Sequence, residues 1–390
     1  MNTPHTRYYS LDVFRGATVA LMILVNNPGS WLHIYPPFKH AAWEGCTPTD
    51  LVFPFFLFAV GNAMSFVMPR FRERGSAYFW QKVLRRTLLI FAIGLFLNWS
   101  PFVKWDGSDL VAKPWEAVRI VGVLQRIALA YFFASVIVYY ARSRGAFVIG
   151  AVILLVYWML CWWLGDPADP YSLDGFFGNR IDEAILGARH MLGEKGVVFD
   201  PEGLASTLPA IVQVVFGYLV GEYIQAKGKN SEMLSNLLVA GLILAVAGLA
   251  WGLVFPINKK IWTSSYVVYT TALAMLTIGV MIFLLEFRNA RGGWNRFFDV
   301  FGKNPLFIFV LAGFLPRVQG LIRWTDHYGD DGKPVYISPM GWFYQHVCSP
   351  LGNAINGDPR LGSFIYAIVI IIFYWLIVYV LDRKKIYIKV

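Results

Sequence analysis

Charge and cysteine are both scarce in this chain of 390 residues. Only 15% of the residues are charged, whereas soluble domains carry roughly 25%, so too few charges are available to cover a water-facing surface. This excludes an ordinary soluble enzyme, a disordered chain and a nucleic-acid-binding protein. The three cysteines, Cys46, Cys161 and Cys348, are scattered and odd in number, so they provide neither a disulfide framework nor a metal knuckle.

The motifs of common soluble enzymes are missing as well. The sequence contains no G-x-x-x-x-G-K-[ST], no G-x-S-x-G and no H-E-x-x-H, which mark phosphate-binding loops, serine hydrolases and zinc proteases. No cluster of His, Cys and carboxylates has metal-ligand spacing, so we expect no metal. The first apolar run ends at Asn26-Asn27-Pro28-Gly29 without an A-x-A-like cleavage site, so we expect a membrane helix there rather than a signal peptide.

Long apolar runs dominate the rest of the sequence. Hydrophobic residues make up 57% of the chain, and a membrane-spanning helix needs about 20 of them in succession. Ten segments qualify, at residues 11–27, 50–68, 83–100, 119–141, 146–164, 205–225, 235–255, 264–286, 304–322 and 363–381. The sequence therefore predicts an all-α fold, a polytopic transmembrane helical bundle that forms one domain over residues 1–390.

Lysine and arginine are unevenly distributed around these segments. If the N-terminus is cytoplasmic and the ten segments alternate in direction, 20 of the 34 basic residues fall on the cytoplasmic side: Arg7, Arg15, Arg70, Arg72, Arg74, Lys82, Arg85, Arg86, Arg142, Arg144, Lys227, Lys229, Arg288, Arg291, Arg296, Lys303, Arg383, Lys384, Lys385 and Lys389. Cytoplasmic loops are enriched in these residues. The net charge of +10 therefore reflects orientation, with both termini in the cytoplasm, rather than an anionic partner.

The first helix is short for a membrane span. Residues 11–26 form about 24 Å of helix, against an apolar core of about 30 Å. We therefore expect the following loop to return towards the bilayer, where it would line a cavity. That loop is rich in polar and aromatic residues: Trp31, His33, Lys39, His40, Trp43, Glu44 and Asp50.

Two residues of this loop, His40 and Asp50, could take part in a reaction. His40 can shuttle a proton near neutral pH or act as a nucleophile, but it can equally cap a turn at the interface. Asp50 stands where a helix starts, so it is either a first-turn carboxylate or the group that orients a nearby histidine. The sequence leaves both alternatives open for each residue.

Charged residues also occur next to or inside apolar segments, where they are costly and are functional candidates. Arg126 must pair or line a cavity, and Asp12, Asp50 or a phosphate could be its partner. Asp12 and Arg15 are three residues apart, so they can form an ordinary helical ion pair.

Two acidic residues precede the sixth segment on the non-cytoplasmic side. Asp200 and Glu202 could hold a cationic substrate at a membrane mouth, or could simply be solvated. The sequence spacing alone does not show whether these two carboxylates bind a substrate or are solvated.

Several motifs in this order resemble one known family. They are R-Y-Y-S-L-D-V-F-R-G at 7–16, H-A-A-W-E-G-x-T-P-x-D-L-V-F-P-x-F at 40–56, G-V-L-Q-R at 122–126, D-P-E-G at 200–203, P-I-N-K-K-x-W-T-S-S-Y at 256–266 and F-G-K-N at 301–304. The chain resembles the heparan-α-glucosaminide N-acetyltransferase family, including its NagX-like bacterial members, over nearly its whole length.

The resemblance implies a transmembrane acyltransferase of the bacterial inner (cytoplasmic) membrane. Such an enzyme takes acetyl from cytoplasmic acetyl-CoA, its cosubstrate, and passes it to a glucosamine-type amine across the membrane. The family's catalytic histidine corresponds to His40, and Asn26 matches its asparagine. We expect an amino sugar and membrane lipid as partners and no nucleic acid. The resemblance leaves open whether the protein forms a homodimer.

Roles for the remaining candidates follow from this assignment. Asp50 would orient His40, and Asn26 would donate to the developing oxyanion. Basic residues at the cytoplasmic mouth would bind the CoA phosphates. The donor-site candidates are Arg15, Arg85, Arg86, Lys303 and Asn304, with Arg126 deeper. The acceptor-site candidates are Trp43, Glu44, Asp200 and Glu202.

Two other functions fit parts of the pattern. An intramembrane arginine and interrupted helices also suit a secondary transporter of an amino sugar, although the sequence has no convincing inverted repeat. An O-acyltransferase acting on a cell-wall sugar is the second alternative. If the protein is an acetyltransferase, two mechanisms remain open: direct transfer to the acceptor and transfer through an acetyl-histidine intermediate.

Overall fold

The computed structural model describes residues 8–388, and helices make up most of them. The helices are α1 (Tyr9–Asn26), α2 (Val52–Arg74), α3 (Ser76–Trp99), α4 (Val123–Leu164), α5 (Gly178–Leu186), α6 (Thr207–Lys227), α7 (Ser231–Gly252), α8 (Ser264–Ile282), α9 (Gly293–Lys303), α10 (Pro305–Gln319), α11 (Pro339–Phe343), α12 (Ser349–Asn356) and α13 (Pro359–Arg383). The predicted all-α polytopic fold is confirmed. Arg7 and Lys389, which entered the count of basic residues, lie outside the described range.

Strands are confined to two short antiparallel hairpins. One consists of β1 (Val103–Asp106) and β2 (Asp109–Ala112), and the other of β3 (Trp324–Tyr328) and β4 (Pro334–Ile337). Each hairpin lies in a connection between helices. They are therefore additions to the helical bundle rather than part of its core.

Every predicted apolar segment coincides with a helix. Among the described helices, seven are long and apolar enough to cross a membrane, and the pair α9 and α10, bent by 80°, makes an eighth. The difference from ten has two sources. Helix α4 covers two predicted segments, and α3 carries Lys82, Arg85 and Arg86 in its first half. Ten spans with cytoplasmic termini therefore stay a prediction.

Helix α4 is a helical hairpin rather than one straight rod. Arg126 lies over the ring of Trp262, and the Tyr157 hydroxyl donates to the carbonyl of Ile261. Along a straight helix, residues 126 and 157 would be about 46 Å apart, so the chain must reverse between them. It does so at Arg142, whose φ of 55° and ψ of −170° are not helical. The two halves correspond to the two predicted segments.

Glycines bring α2 and α6 into backbone contact. A Cβ at Gly61 would lie 2.0 Å from the carbonyl oxygen of Val214, and one at Gly217 would lie 2.2 Å from that of Phe58. Small residues permit such close approach between helices in a membrane. Because α2 follows the loop of His40 and α6 follows the loop of Asp200, this contact fixes the two loops relative to each other.

Four groups of buried side chains form the core of the described part of the bundle, and two of them illustrate how the helices pack. The larger involves α2, α3, α4, α6 and α8, and another involves α1, α9, α10 and α13. Helix α7 shows the opposite pattern on one face, where Val239, Leu242, Val246 and Leu249 are exposed at intervals of three or four residues. A large exposed apolar face of this kind fits contact with lipid.

We expect Gly217→Val to destabilise the bundle. The added side chain meets the backbone of α2, which cannot move aside locally, and overpacking of this kind costs about 1–3 kcal/mol. Thermal unfolding in detergent measures the effect. Gly293→Val is the matched control, because a Cβ at Gly293 meets nothing within 4 Å. Equal melting temperatures for the two variants would contradict the packing described here.

Reporter fusions can test the predicted membrane topology. The distribution of basic residues predicts that a reporter fused at Lys229 and another fused at the C-terminus both report the cytoplasm. A periplasmic signal at either site would contradict the ten-span arrangement.

Candidate active site

The loop between α1 and α2 holds a buried carboxylate, Asp50. It lies in a single helical turn, Pro48–Leu51, where it forms a capping box with Thr47. Its Oδ2 accepts hydrogen bonds from the backbone amides of Ala41 and Thr47, each at 3.0 Å. Its main-chain carbonyl accepts from the hydroxyl of Tyr266 at 2.6 Å. These contacts leave the other oxygen, Oδ1, free to face a side chain.

That side chain is His40. Its Nδ1 lies 2.6 Å from Oδ1 of Asp50, and its ring is 47% exposed whereas the carboxylate is only 1% exposed. So short a contact needs a proton between the two atoms, which we assign to Nδ1. The opposite nitrogen, Nε2, then carries the lone pair that a base or a nucleophile needs. Asp50 is thus both the first-turn carboxylate and the neighbour of His40.

A lysine that the sequence analysis did not select completes this group. Nζ of Lys259 lies 3.1 Å from Nδ1 of His40 and 3.5 Å from Oδ1 of Asp50. Burial lowers the pKa of Lys259, against the opposing effect of the Asp50 and Glu202 carboxylates. In the sequence, the feature that could have identified Lys259 is its position in the P-I-N-K-K motif at 256–260.

The connection between α7 and α8 positions Lys259. The side-chain oxygen of Asn258 accepts from the backbone amides of Lys260 and Ile261. The backbone amide of Gly45 donates to the carbonyl of Ile257 at 2.7 Å. The loop of His40 and the loop of Lys259 are therefore joined directly through their backbones.

Neither a reactive thiol nor a metal cluster accompanies His40. Burial, with a further effect of the Asp50 charge, raises the pKa of Cys46 to about 12, so its thiol stays protonated at neutral pH. Within residues 8–388, no group of three or more His, Cys, Asp or Glu residues is arranged to hold a metal ion. The imidazole of His40 is therefore the best-placed nucleophile or base of this loop.

His40 faces a cavity of about 170 Å³. Its polar lining comes from Asn26, His40, Thr49, Glu202 and Lys259, and apolar side chains of α1, α2, α4 and α10 provide the rest. Asn26 is the last residue of α1. The structure thus places Asn26 and His40 at one cavity and Asp50 against His40, and the catalytic roles of the three residues stay a prediction.

Asp200 and Glu202 both bind one arginine. Nε of Arg119 donates to Asp200 at 2.7 Å, and its Nη2 contacts both carboxylates. Although burial opposes the charge of Arg119, the two carboxylates raise its pKa. Asp200 is therefore a buried ion-pair partner rather than a solvated residue. Glu202 reaches the His40 cavity while it shares the single positive charge of Arg119 with Asp200. Arg119 was not selected from the sequence.

Arg126 is fully buried and has partners other than those expected. Its Nη2 donates to the carbonyl of Gly203 and to the hydroxyl of Ser206, and its guanidinium lies 5.1 Å from the centre of the Trp262 ring. Neither Asp12 nor Asp50 is among these contacts. Because α4 begins at the His40 end of the bundle, the structure separates Arg126 from the other proposed phosphate ligands.

Trp43 and Glu44 lie beside the cavity rather than in its wall. The indole Nε1 of Trp43 donates to the carbonyl of Tyr171 at 2.9 Å, and its ring packs near Phe199 and Lys260. Glu44 is exposed. Trp43 thus attaches the His40 loop to the connection that follows α4.

A separate, basic cavity of about 740 Å³ lies at the other end of α1. Arg15, Arg291 and Lys303 line it together with Asp12 and Asp299. Arg15 pairs with Asp12 at 2.7 Å, as the spacing predicted, and Lys303 pairs with Asp299 at 2.8 Å. The structure thus unites Arg15 and Lys303 and adds Arg291, which the sequence analysis did not select.

The other donor-site candidates lie outside this cavity. Arg85 is exposed on α3, and the Arg86 guanidinium lies 4.8 Å from the ring centre of Tyr131. Asn304 is fully buried, and its amide bonds the backbones of Ile386 and Ile388. Asn304 therefore anchors the segment after α13.

Comparison with known proteins gives consistent matches. The family model described as heparan-alpha-glucosaminide N-acetyltransferase, catalytic, matches residues 7–176, which include Asn26, His40 and Asp50. The human protein named heparan-alpha-glucosaminide N-acetyltransferase is 27% identical over 357 residues, covering 78% of this chain and 52% of the relative. The mouse protein of the same name is 26% identical over 358 residues, covering 78% and 53%.

The chain spans about half the length of the curated relatives it matches. The matched region nevertheless contains the loop that holds the buried carboxylate and its histidine. By these matches, and by the motifs that carry them, the chain is similar to the heparan-α-glucosaminide N-acetyltransferases.

Proposed function

We propose that this protein is a membrane acetyltransferase with acetyl-CoA as donor and a glucosamine-type amine as acceptor. The observation that carries the proposal is the 2.6 Å contact by which buried Asp50 orients His40 at a cavity. The names of the human and mouse relatives support N-acetyl transfer to an amino sugar. The donor enters from the cytoplasm, and the acceptor comes from the opposite side of the bacterial inner membrane.

In a direct transfer, His40 is a general base. Its Nε2 removes a proton from the acceptor amine as the amine nitrogen attacks the thioester carbonyl. The new C–N bond forms, the C–S bond breaks, and CoA leaves as a thiolate that is then protonated. Asp50 stabilises the imidazolium that forms, as the carboxylate of a catalytic triad does.

In a covalent transfer, the same nitrogen is the nucleophile. Nε2 of His40 attacks the thioester carbonyl, the C–S bond breaks, and acetyl-imidazole forms as CoA leaves. The acceptor amine then attacks the acetyl carbon, the bond between the acetyl group and Nε2 breaks, and the histidine is restored. The proton that the amine loses balances the proton taken up by the CoA thiolate. Both routes need an unprotonated Nε2, so the geometry of His40 and Asp50 serves either one.

Both routes also place negative charge on the carbonyl oxygen. Asn26 and Lys259 line the cavity of His40, and an amide N–H and an ammonium are suitable donors to an oxyanion. Such donors act strongly in a site that excludes water. We assign them this role, with Lys259 also lying beside Asp50.

The basic cavity at the other end of α1 suits the phosphates of CoA. Arginine and lysine bind phosphate through charge-assisted hydrogen bonds. Arg15 and Asn26 are eleven residues apart on α1, which corresponds to about 16 Å. A further cavity of about 230 Å³, between α1, α2 and α8, lies next to Arg15. It adds space beside the proposed phosphate site.

The decisive experiment uses purified protein with acetyl-CoA and glucosamine. We expect free CoA thiol and N-acetylglucosamine in equal amounts, both detected by mass spectrometry. Amino-sugar uptake without release of CoA thiol would instead indicate a transporter. Acetylation of a sugar hydroxyl alone would indicate an O-acyltransferase.

His40→Ala should lower kcat/KM for glucosamine acetylation by about 10²–10⁴-fold, the usual value of general-base catalysis. Acetyl-CoA binding should survive, because its phosphates bind at the other end of α1. His327→Ala is the control, since His327 is exposed on a hairpin. Near-normal acetylation by His40→Ala would contradict the proposed mechanism.

Asp50→Asn tests the same prediction without changing the shape of the side chain. It removes the charge that orients and stabilises His40, so activity should fall while the protein still binds acetyl-CoA. Full activity of this variant would show that the 2.6 Å contact has no catalytic role.

Arg291→Ala and Lys303→Ala should each raise the KM for acetyl-CoA by about 10–100-fold, the value of one hydrogen bond between charged groups. The effect should shrink at high salt, which screens exposed charges. Arg85→Ala is the matched control, because Arg85 is exposed on another helix. An increase in KM for Arg85→Ala alone would place the phosphates at α3 instead.

A further inference from the structure

A second cavity adjoins the one that His40 faces. Its volume is about 380 Å³, and it is bounded by the ends of α1, α3 and α10 and by the start of α4. Four residues line both cavities: Met22, Asn26, Val123 and Phe309. The second cavity therefore lies at the same end of the bundle as His40, and these shared residues form part of the wall of each cavity.

Carboxamides are unusually frequent in the lining of this second cavity. They belong to Asn26, Asn27, Asn98 and Gln125. A carboxamide is neutral and offers both donors and an acceptor, which suits the hydroxyl groups of a sugar. The amide groups of Asn27 and Asn98 already donate to backbone carbonyls, so Asn26 and Gln125 are the carboxamides whose donors remain for a ligand. The charge of Arg119, which also lines the cavity, is matched by Asp200 and Glu202. The second guanidinium is that of Arg317, which adds further donors at the end of α10.

Gln125 has a side chain with a buried hydrogen-bond donor that could bind a ligand. Its side chain is buried, and its Nε2 has no hydrogen-bond partner among residues 8–388. A buried donor without a partner is costly and needs an explanation. A ligand hydroxyl in the cavity that Gln125 lines would be the missing acceptor.

Two glycines make room for this glutamine. A Cβ at Gly94 would lie 2.5 Å from Oε1 of Gln125, and one at Gly122 would lie 3.0 Å from it. A side chain at Gly94 would force the amide out of its place. The packing of α3 against α4 is thus arranged around the Gln125 amide rather than around an apolar side chain.

We propose that the second cavity is the acceptor subsite, in which Nε2 of Gln125 donates to a hydroxyl of the amino sugar. The sugar amine then passes Asn26 to reach His40. This inference rests on the acetyltransferase function proposed above. The donor is assigned to the cavity of Arg15, Arg291 and Lys303, which lies at the other end of α1.

Gln125→Leu tests the subsite, because leucine keeps the bulk of the side chain and removes its donors. We expect kcat/KM for glucosamine to fall by about 2–10-fold, the value of one neutral hydrogen bond, while the KM for acetyl-CoA stays unchanged. Gln81→Leu is the matched control, since Gln81 is exposed near the opposite end of α3.

Deoxy acceptors make the test sharper. Among 3-, 4- and 6-deoxyglucosamine, at least one should be a poorer acceptor than glucosamine for the native protein. Gln125→Leu should abolish that difference, because the hydroxyl has then lost its partner. An unchanged ranking of the acceptors in Gln125→Leu would overturn the proposal.

A second variant fills the cavity. Ala312 lines it from α10, so Ala312→Leu should lower kcat/KM for glucosamine by at least about 10-fold, because the larger side chain occupies space that the bound sugar needs. Acetyl-CoA binding should persist and report that the variant is folded. If both variants keep the native acceptor KM, or if they raise the KM for acetyl-CoA instead, the assignment is wrong.

Direct binding separates this proposal from the proposed function. Calorimetry with glucosamine on His40→Ala protein measures acceptor binding without turnover. Weaker binding when Gln125→Leu is added supports the subsite even if no acetyl transfer is found. Unchanged binding overturns the subsite even if the native protein is an active acetyltransferase.

Discussion

The arrangement at the His40 end depends on a carboxylate that is removed from water. A buried charge is tolerated only with partners, and Asp50 has them on both oxygens. Backbone amides of its own turn bind Oδ2, and His40 and Lys259 face Oδ1. The constraint therefore determines how the loop after α1 folds. It also gives the imidazole its direction, since a ring held through Nδ1 presents Nε2.

Helix α1 connects two sites of different character. At one end, Arg15 lines a cavity with two further cations, which suits a phosphate-bearing donor. At the other end, Asn26 lines both the His40 cavity and the amide-lined cavity next to it. Under the proposed function, this separation along one helix keeps an anionic donor and a hydroxylated acceptor apart until their reactive groups meet at His40.

Much of this architecture could be predicted from local features. Each predicted apolar segment became a helix, and the first helix does end before a polar loop that lines a cavity. The turn between the halves of α4 falls at Arg142, between the two predicted segments. By contrast, Arg126 was expected to meet Asp12, Asp50 or a phosphate, and it contacts Gly203, Ser206 and Trp262 instead.

By itself, the sequence determined the helices, the family motifs and the pairing of Asp12 with Arg15, because hydropathy and helical spacing act within a few residues. Only the tertiary structure decided which distant groups share a site. Lys259 meets His40 across 219 positions, and Arg119 pairs with both Asp200 and Glu202 from another connection. Such pairings follow from how the helices pack. A charged residue takes whichever partner that packing brings within reach, and its own neighbours in the chain do not reveal which one.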